Sequence, residues 1–264
     1  MANFLTRLIS GNRRERALRK YAIDDALWQT TLDRLPFFGH LDDADRARLR
    51  ESTTLFIAEK EFSTAHDLPL TDAMIVAIAV QACLPVLNLS LELYRGWVGV
   101  IVYPGEFVIR KTVEDEDGVV HEIEQDASGE AWEGGPVVLS WEDAQMTDGE
   151  DAYNVVIHEF AHKIDMKSGE ANGCPPLHAE MSRRAWQKAM TAAYENFRTR
   201  VHDGENTEID PYAAENPAEF FAVLSEVFFA EPTLLRMEYP SVYRLFTQFY
   251  RQDPASRTEL LLEE

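Results

Sequence analysis

Cysteine is nearly absent from this 264-residue chain: Cys83 and Cys174 are the only two, and no Cys-x-x-Cys pair exists. A disulfide framework is therefore excluded, and a reducing, cytoplasmic setting is expected. Positive charge is also scarce, with 25 Lys+Arg against 46 Asp+Glu and a formal net charge of −21. A surface that tracks phosphates needs clustered Lys and Arg, so direct nucleic-acid binding and adhesion to anionic membranes are not expected. Long apolar runs are missing too. The strongest, Ala73–Val80, is interrupted by Gln81 and Pro85 and falls short of the ~20 residues that span a bilayer. The opening Met-Ala-Asn-Phe-Leu-Thr-Arg-Leu-Ile-Ser lacks the apolar run of ~7 or more residues of a secretory signal, so no export is expected. Neither fixed-period repeats nor low-complexity tracts occur.

What is present is enough to build a core: 45% hydrophobic and 11% aromatic residues, a composition that excludes disorder for most of the chain. Residues 1–20 hold six basic side chains against Glu15, which suits a solvated helix face or a docking arm. Residues 1–95 read as a helical part packed on the remainder, with helices over Asp24–Leu35, Asp42–Glu59 and Thr71–Leu84. Beyond residue 96 the pattern turns to short β-rich runs, Val98–Tyr103, Glu106–Ile109 and Val119–Ile123, split by Pro104-Gly105 and Glu116-Asp117-Gly118. Val137–Trp141 follows Gly134-Gly135-Pro136, and a proline at a strand start suits an edge strand. Val137, Val138, Leu139 and Ser140 are accordingly expected to pair with an extended peptide as an edge strand, or else to form a core strand. From about Gly149 the chain reads as helices around two long loops. The whole is an α+β layout of helices, a small central sheet with an exposed edge, and C-terminal catalytic helices.

The chemistry concentrates at His158-Glu159-Phe160-Ala161-His162. Positions i and i+4 of a helix share one face, so both imidazoles can reach one ion. Tyr153, Val156, Ile157, Phe160, Ala161 and Ile164 recur at helical spacing and supply a buried stripe, with Asp148 placed to cap the start. Glu159 lies ~100° round from His158, where its carboxylate can face an activated water rather than the metal. A catalytic zinc wants three protein ligands and one open position. The long metzincin pattern fails, because Asp165 and Ser168 stand where Gly and His would be needed. Downstream candidates are His178, Glu180, Glu215, Glu219 and Glu226. Glu219 sits in a helix that Asn216 can cap and Pro217 can begin. There it is either a ligand or the partner of Asn216 in a capping box. Glu226, seven residues on, shares its face as a supporting group or as the ligand itself. Asp165, seven after His158, is placed to orient a ligand imidazole. Cys174, His178 and His202 read as structural or solvated rather than catalytic.

The runs 158–165 (His-Glu-Phe-Ala-His-Lys-Ile-Asp) and 211–222 (Pro-Tyr-Ala-Ala-Glu-Asn-Pro-Ala-Glu-Phe-Phe-Ala) resemble the Mlc titration factor A family. These are bacterial zinc metallopeptidases of gluzincin type, related to the anthrax lethal factor catalytic domain. The resemblance extends to 134–141 and covers most of the chain, and the N-terminal helices match more loosely. It implies a zincin-like fold with one Zn²⁺ on His158, His162 and Glu219, Glu159 as general base, and Tyr212 as donor to the developing oxyanion. It also implies a cytosolic, aminopeptidase-like enzyme acting on peptide or protein substrates and able to bind the glucose repressor Mlc. A binding protein that sequesters a repressor without catalysis is the other reading. Related gluzincins often carry an acidic residue four positions after the ligand Glu; here that position is Val223, which leaves the carboxylate behind the imidazoles open.

Overall fold

The computed structural model describes residues 12–114, 120–145 and 153–257. Several of its helices start where short polar side chains can satisfy free backbone N–H groups. A helix over 12–20 (α1) comes first. Asp24 then accepts from the N–H groups of Ala26 and Leu27 at α2 (Asp25–Asp33). Asp42 accepts from Asp45 N–H at α3 (Asp43–Glu59), and Thr71 from Met74 N–H at α4 (Asp72–Cys83). Helix α4 carries the apolar run and buries it: Met74, Val76 and every residue from Ile78 to Cys83 lie inside. Among the described residues no helix is long and apolar enough to cross a membrane.

The strands are β1 (Glu61–Thr64), β2 (Gly99–Tyr103), β3 (Phe107–Glu114), β4 (Val120–Ala127), β5 (Gly129–Ala131) and β6 (Val137–Ser140). Strands β3 and β4 form an antiparallel hairpin of their own, with Phe107 opposite Ala127. The other four make one sheet in the order β1-β2-β6-β5. The first three run parallel, Glu61 opposite Gly99 and Val100 opposite Val137, whereas β5 runs antiparallel to β6 with Gly129 opposite Leu139. Val137, Val138, Leu139 and Ser140 therefore do not form the edge expected of them: they are buried and paired on both sides. Pro136 removes only its own N–H, one residue ahead of the ladder, so it blocks no pairing of β6. The edge falls to Gly129–Ala131.

The chain continues through α5 (Trp141–Ala144), α6 (Val155–Asp165), α7 (Arg183–His202), α8 (Pro217–Ala230), α9 (Pro232–Glu238) and α10 (Pro240–Tyr250). One buried cluster runs from Ile23 to Ala255 and joins the early helices to the late ones. The Phe160 ring of α6 lies 5.6 Å from Phe56 of α3 and 5.1 Å from Tyr94, so α6 is held centrally by aromatic contacts. Each such fully buried side chain contributes about 1.5–3 kcal/mol from apolar burial.

Candidate metal and catalytic site

All eleven residues of α6 are buried. Its cap is Asn154, whose Oδ1 accepts from Ile157 N–H at 2.8 Å and whose Nδ2 donates to Gln81 Oε1 at 2.8 Å. The expected cap, Asp148, lies outside the described residues. Tyr153, expected in the buried stripe, precedes the cap instead and is 37% exposed on the wall of the cleft described below.

His158 and His162 bring their Nε2 atoms to 3.1 Å from each other. Glu219, in the first turn of α8, places Oε2 3.0 Å from His158 Nε2 and 3.1 Å from His162 Nε2. Asn216 caps α8 by accepting from the N–H groups of Ala218 and Glu219. The Glu219 carboxylate is thus turned to the imidazoles rather than back into a capping box. Burial opposes its charge, yet the two histidines, when protonated, hold its carboxyl well below the usual range. The start of a helix also favours a carboxylate.

Glu226 supplies the support that Val223 leaves missing. Its Oε1 accepts from His158 Nδ1 at 2.7 Å, and its Oε2 accepts from the backbone N–H of Asn154. A proton on Nδ1 leaves the Nε2 lone pair of His158 directed at Glu219 and His162. Three lone-pair donors then converge, all within 4.8 Å of one another. Such a cluster repels itself unless a cation or an extra proton sits among the donors, and two imidazoles with one carboxylate are a donor set that holds a divalent ion.

Glu159 is buried beside this cluster, and among the described residues its Oε2 has no hydrogen-bond partner. Burial raises its carboxyl above the ordinary range while the imidazoles pull the other way. Tyr212 stands in a short turn (Pro211–Ala214) fixed by Asp210, which accepts from Tyr212 N–H at 2.9 Å. Its ring centroid is 6.1 Å from that of His158. Burial, followed by the negative charges of Glu219, Glu215 and Glu159, pushes its hydroxyl pKa up and keeps it a proton donor. These groups open onto a cleft of about 800 Å³ that Gly129–Ala131 borders and Val137–Ser140 do not.

Asp165 has a different task from the one expected of it. Its Oδ2 accepts from the N–H groups of Asn172 (2.7 Å) and Gly173 (2.6 Å), and it bonds neither imidazole. Gly173 sits at φ +76°, and a Cβ there would come 2.4 Å from the Pro217 carbonyl oxygen. Trp186 Nε1 donates to the Gly173 carbonyl at 2.9 Å. The loop thus ties the end of α6 to the beginning of α8, the two helices that carry the ligand candidates. Gly173→Ala is expected to lower stability by more than about 1 kcal/mol, visible as a drop in Tm, and to weaken metal retention with it.

The other candidates stand apart. His178 Nε2 meets the Phe249 carbonyl oxygen at 2.8 Å, and Glu180 accepts from Arg251 at 3.0 Å. Glu215 neighbours Tyr212 without entering the cluster. The sequence reading missed Asn154, Gln81, Gly129 and Asn172. Of these only Asn154 carried a local signal, as a cap residue immediately before the apolar repeat.

A small sheet, two central helices and a His-His-Glu cluster beside a buried carboxylate define a metallopeptidase of zincin-like α+β fold. The chain belongs to the glucose-regulated metallo-peptidase M90 family, which it matches over residues 9–251. It is 37% identical over 235 residues to Mlc titration factor A of Yersinia pestis (strain Pestoides F), covering 88% of this chain and 86% of that protein. The same figures hold for Mlc titration factor A of Yersinia pseudotuberculosis serotype O:1b (strain IP 31758).

Proposed function

We propose that this protein is a zinc-dependent peptidase of aminopeptidase-like activity, with His158, His162 and Glu219 as ligands. The observation that carries the reading is the convergence of three donors beside the unpartnered Glu159 Oε2, in a cleft bordered by an edge strand. Tetrahedral zinc with bonds of ~2.0–2.1 Å sets its ligand atoms about 3.3 Å apart, close to the 3.0–3.1 Å found here. Bound there, zinc would polarise a peptide carbonyl and bring the pKa of a water toward ~7.

The chain's own groups do the rest. An extended peptide pairs with the free edge of Gly129–Ala131. Glu159 takes the proton of the attacking water at Oε2 and returns it to the leaving amine. Tyr212 Oη donates to the oxyanion as it develops. Glu226 holds the Nδ1 proton of His158 and so fixes which nitrogen faces the ligand cluster. Tyr212→Phe is expected to reduce kcat about 10²–10³-fold with zinc retained, as measured by steady-state kinetics and metal analysis.

The test is cleavage of a mixed peptide library, read by mass spectrometry. Cutting that stops on chelation and returns with zinc supports the reading, and the positions cut separate amino-terminal trimming from internal scission. No cleavage by zinc-loaded protein overturns it.

A second role is favoured by the name of the Yersinia relatives. We infer that this chain also binds a repressor of the Mlc type in the cytosol, where Cys83 and Cys174 stay unpaired. Its net charge of −21 complements a basic DNA-binding face. Co-elution with such a repressor after chelation would show that binding needs no catalysis. A non-catalytic sequestering protein is then the reading left standing if the library is not cut.

A further inference from the structure

The β5–β6 hairpin touches α6 at two places one helical turn apart. At the first, Gly129 lies against the carboxylate of Glu159: a Cβ on residue 129 would stand 2.5 Å from Glu159 Oε1, 2.7 Å from its Cγ and 2.7 Å from Val155 Cγ2. No side chain fits there without moving Glu159 or the strand. At the second, Lys163 Nζ donates to the carbonyl oxygens of Trp132 (2.7 Å) and Gly135 (3.0 Å), both in the turn that joins β5 to β6. Positions 159 and 163 share one face of the helix.

Lys163 is an unusual residue for this task. It is buried, and among the described residues no carboxylate pairs with it within salt-bridge distance. Its ammonium instead rests 4.5 Å from the centroid of the Trp97 ring, which Lys60 Nζ also approaches at 3.7 Å. A buried cation is costly and persists when its hydrogen bonds are well made. Those of Lys163 go to the hairpin.

We propose that Gly129 and Lys163 are positioning residues that set the edge strand against the general base. Gly129 leaves the space in which Glu159 lies, and Lys163 holds the hairpin at the height where its free edge meets a peptide. This inference rests on the peptidase reading. It assigns the two residues separate kinetic consequences, because one acts on the base and the other on the binding edge.

The experiment uses the full zinc-loaded chain and three variants, Gly129→Ala, Lys163→Met and Lys163→Arg. Gly129→Ala is expected to cut kcat about 10²-fold, the effect of displacing a reacting group by ~1 Å, with KM and zinc content held. Lys163→Met is expected to raise KM about tenfold with kcat nearly kept, since a loosened edge weakens substrate binding. Lys163→Arg, which keeps a cationic donor, should fall between Lys163→Met and wild type. Hydrogen exchange over residues 129–135 supplies a readout independent of activity, and Lys163→Met should accelerate it while zinc stays bound. Equal losses in kcat and KM for Gly129→Ala and Lys163→Met, tracking a common fall in Tm, would mark both as scaffold residues and overturn the proposal. If Gly129→Ala fails to fold, the two Lys163 variants still decide. An inactive wild type would instead defeat the peptidase reading, and unchanged exchange in Lys163→Met would overturn the pinning separately.

Discussion

Glu159→Gln is expected to keep zinc and to lose peptide hydrolysis by roughly 10³-fold or more, at the upper end of what a general base contributes. The substitution preserves volume and removes only the ability to take a proton. Since Glu159 is not among the three converging donors, metal content should match the wild type. Its own burial would also be relieved, because an amide is cheaper to bury than a carboxylate. The variant should therefore melt at or above the wild-type Tm. Activity within a few-fold of wild type would remove Glu159 from the mechanism. Loss of zinc would move it into the ligand set.

Glu219→Ala carries the second large effect. Two imidazoles remain, but the charged donor is gone, and zinc affinity should fall by more than the ~10–100-fold typical of losing an outer hydrogen-bond partner. Glu226→Gln is the comparison. It leaves all three donors in place and weakens the acceptor behind His158, so its loss should stay within that ~10–100-fold range. Competition with a chromophoric chelator measures both. If Glu226→Gln yields metal-free protein while Glu219→Ala retains zinc, the two carboxylates have been assigned the wrong way round.

Local patterns were readable in the sequence and pairings across the fold were not. The helix carrying His158 and His162 follows from a 3.6-residue repeat, and the shared face of Glu219 and Glu226 follows from their spacing of seven. For Asp165 the spacing fixed the face but not the partner: its carboxylate went to Asn172 and Gly173 rather than to an imidazole. The edge strand was misplaced because Gly129-Glu130-Ala131 is three residues long with no alternating apolar pattern, whereas Val137–Ser140 has strong β character and sits mid-sheet. Strand order is a property of the assembled sheet. Glu61–Thr64 escaped notice for a related reason, being four mostly polar residues with alternating exposure. The burial of Lys163 had no signal in the sequence, since its partners are carbonyl groups that any sequence would supply.

The joining of Asn154 to Glu226 and of His158 to Glu219 spans 72 and 61 residues of chain. A polypeptide made from its amino end presents both histidines well before either glutamate exists. Until α8 has been synthesised and docked, the growing chain offers two imidazoles on an unsupported helix and can hold an ion only weakly. With the proposed ligands, metal capture is expected to be a late event in biogenesis. On the proposed assignment the site is completed with the last third of the chain, after the sheet whose β5 strand borders the cleft.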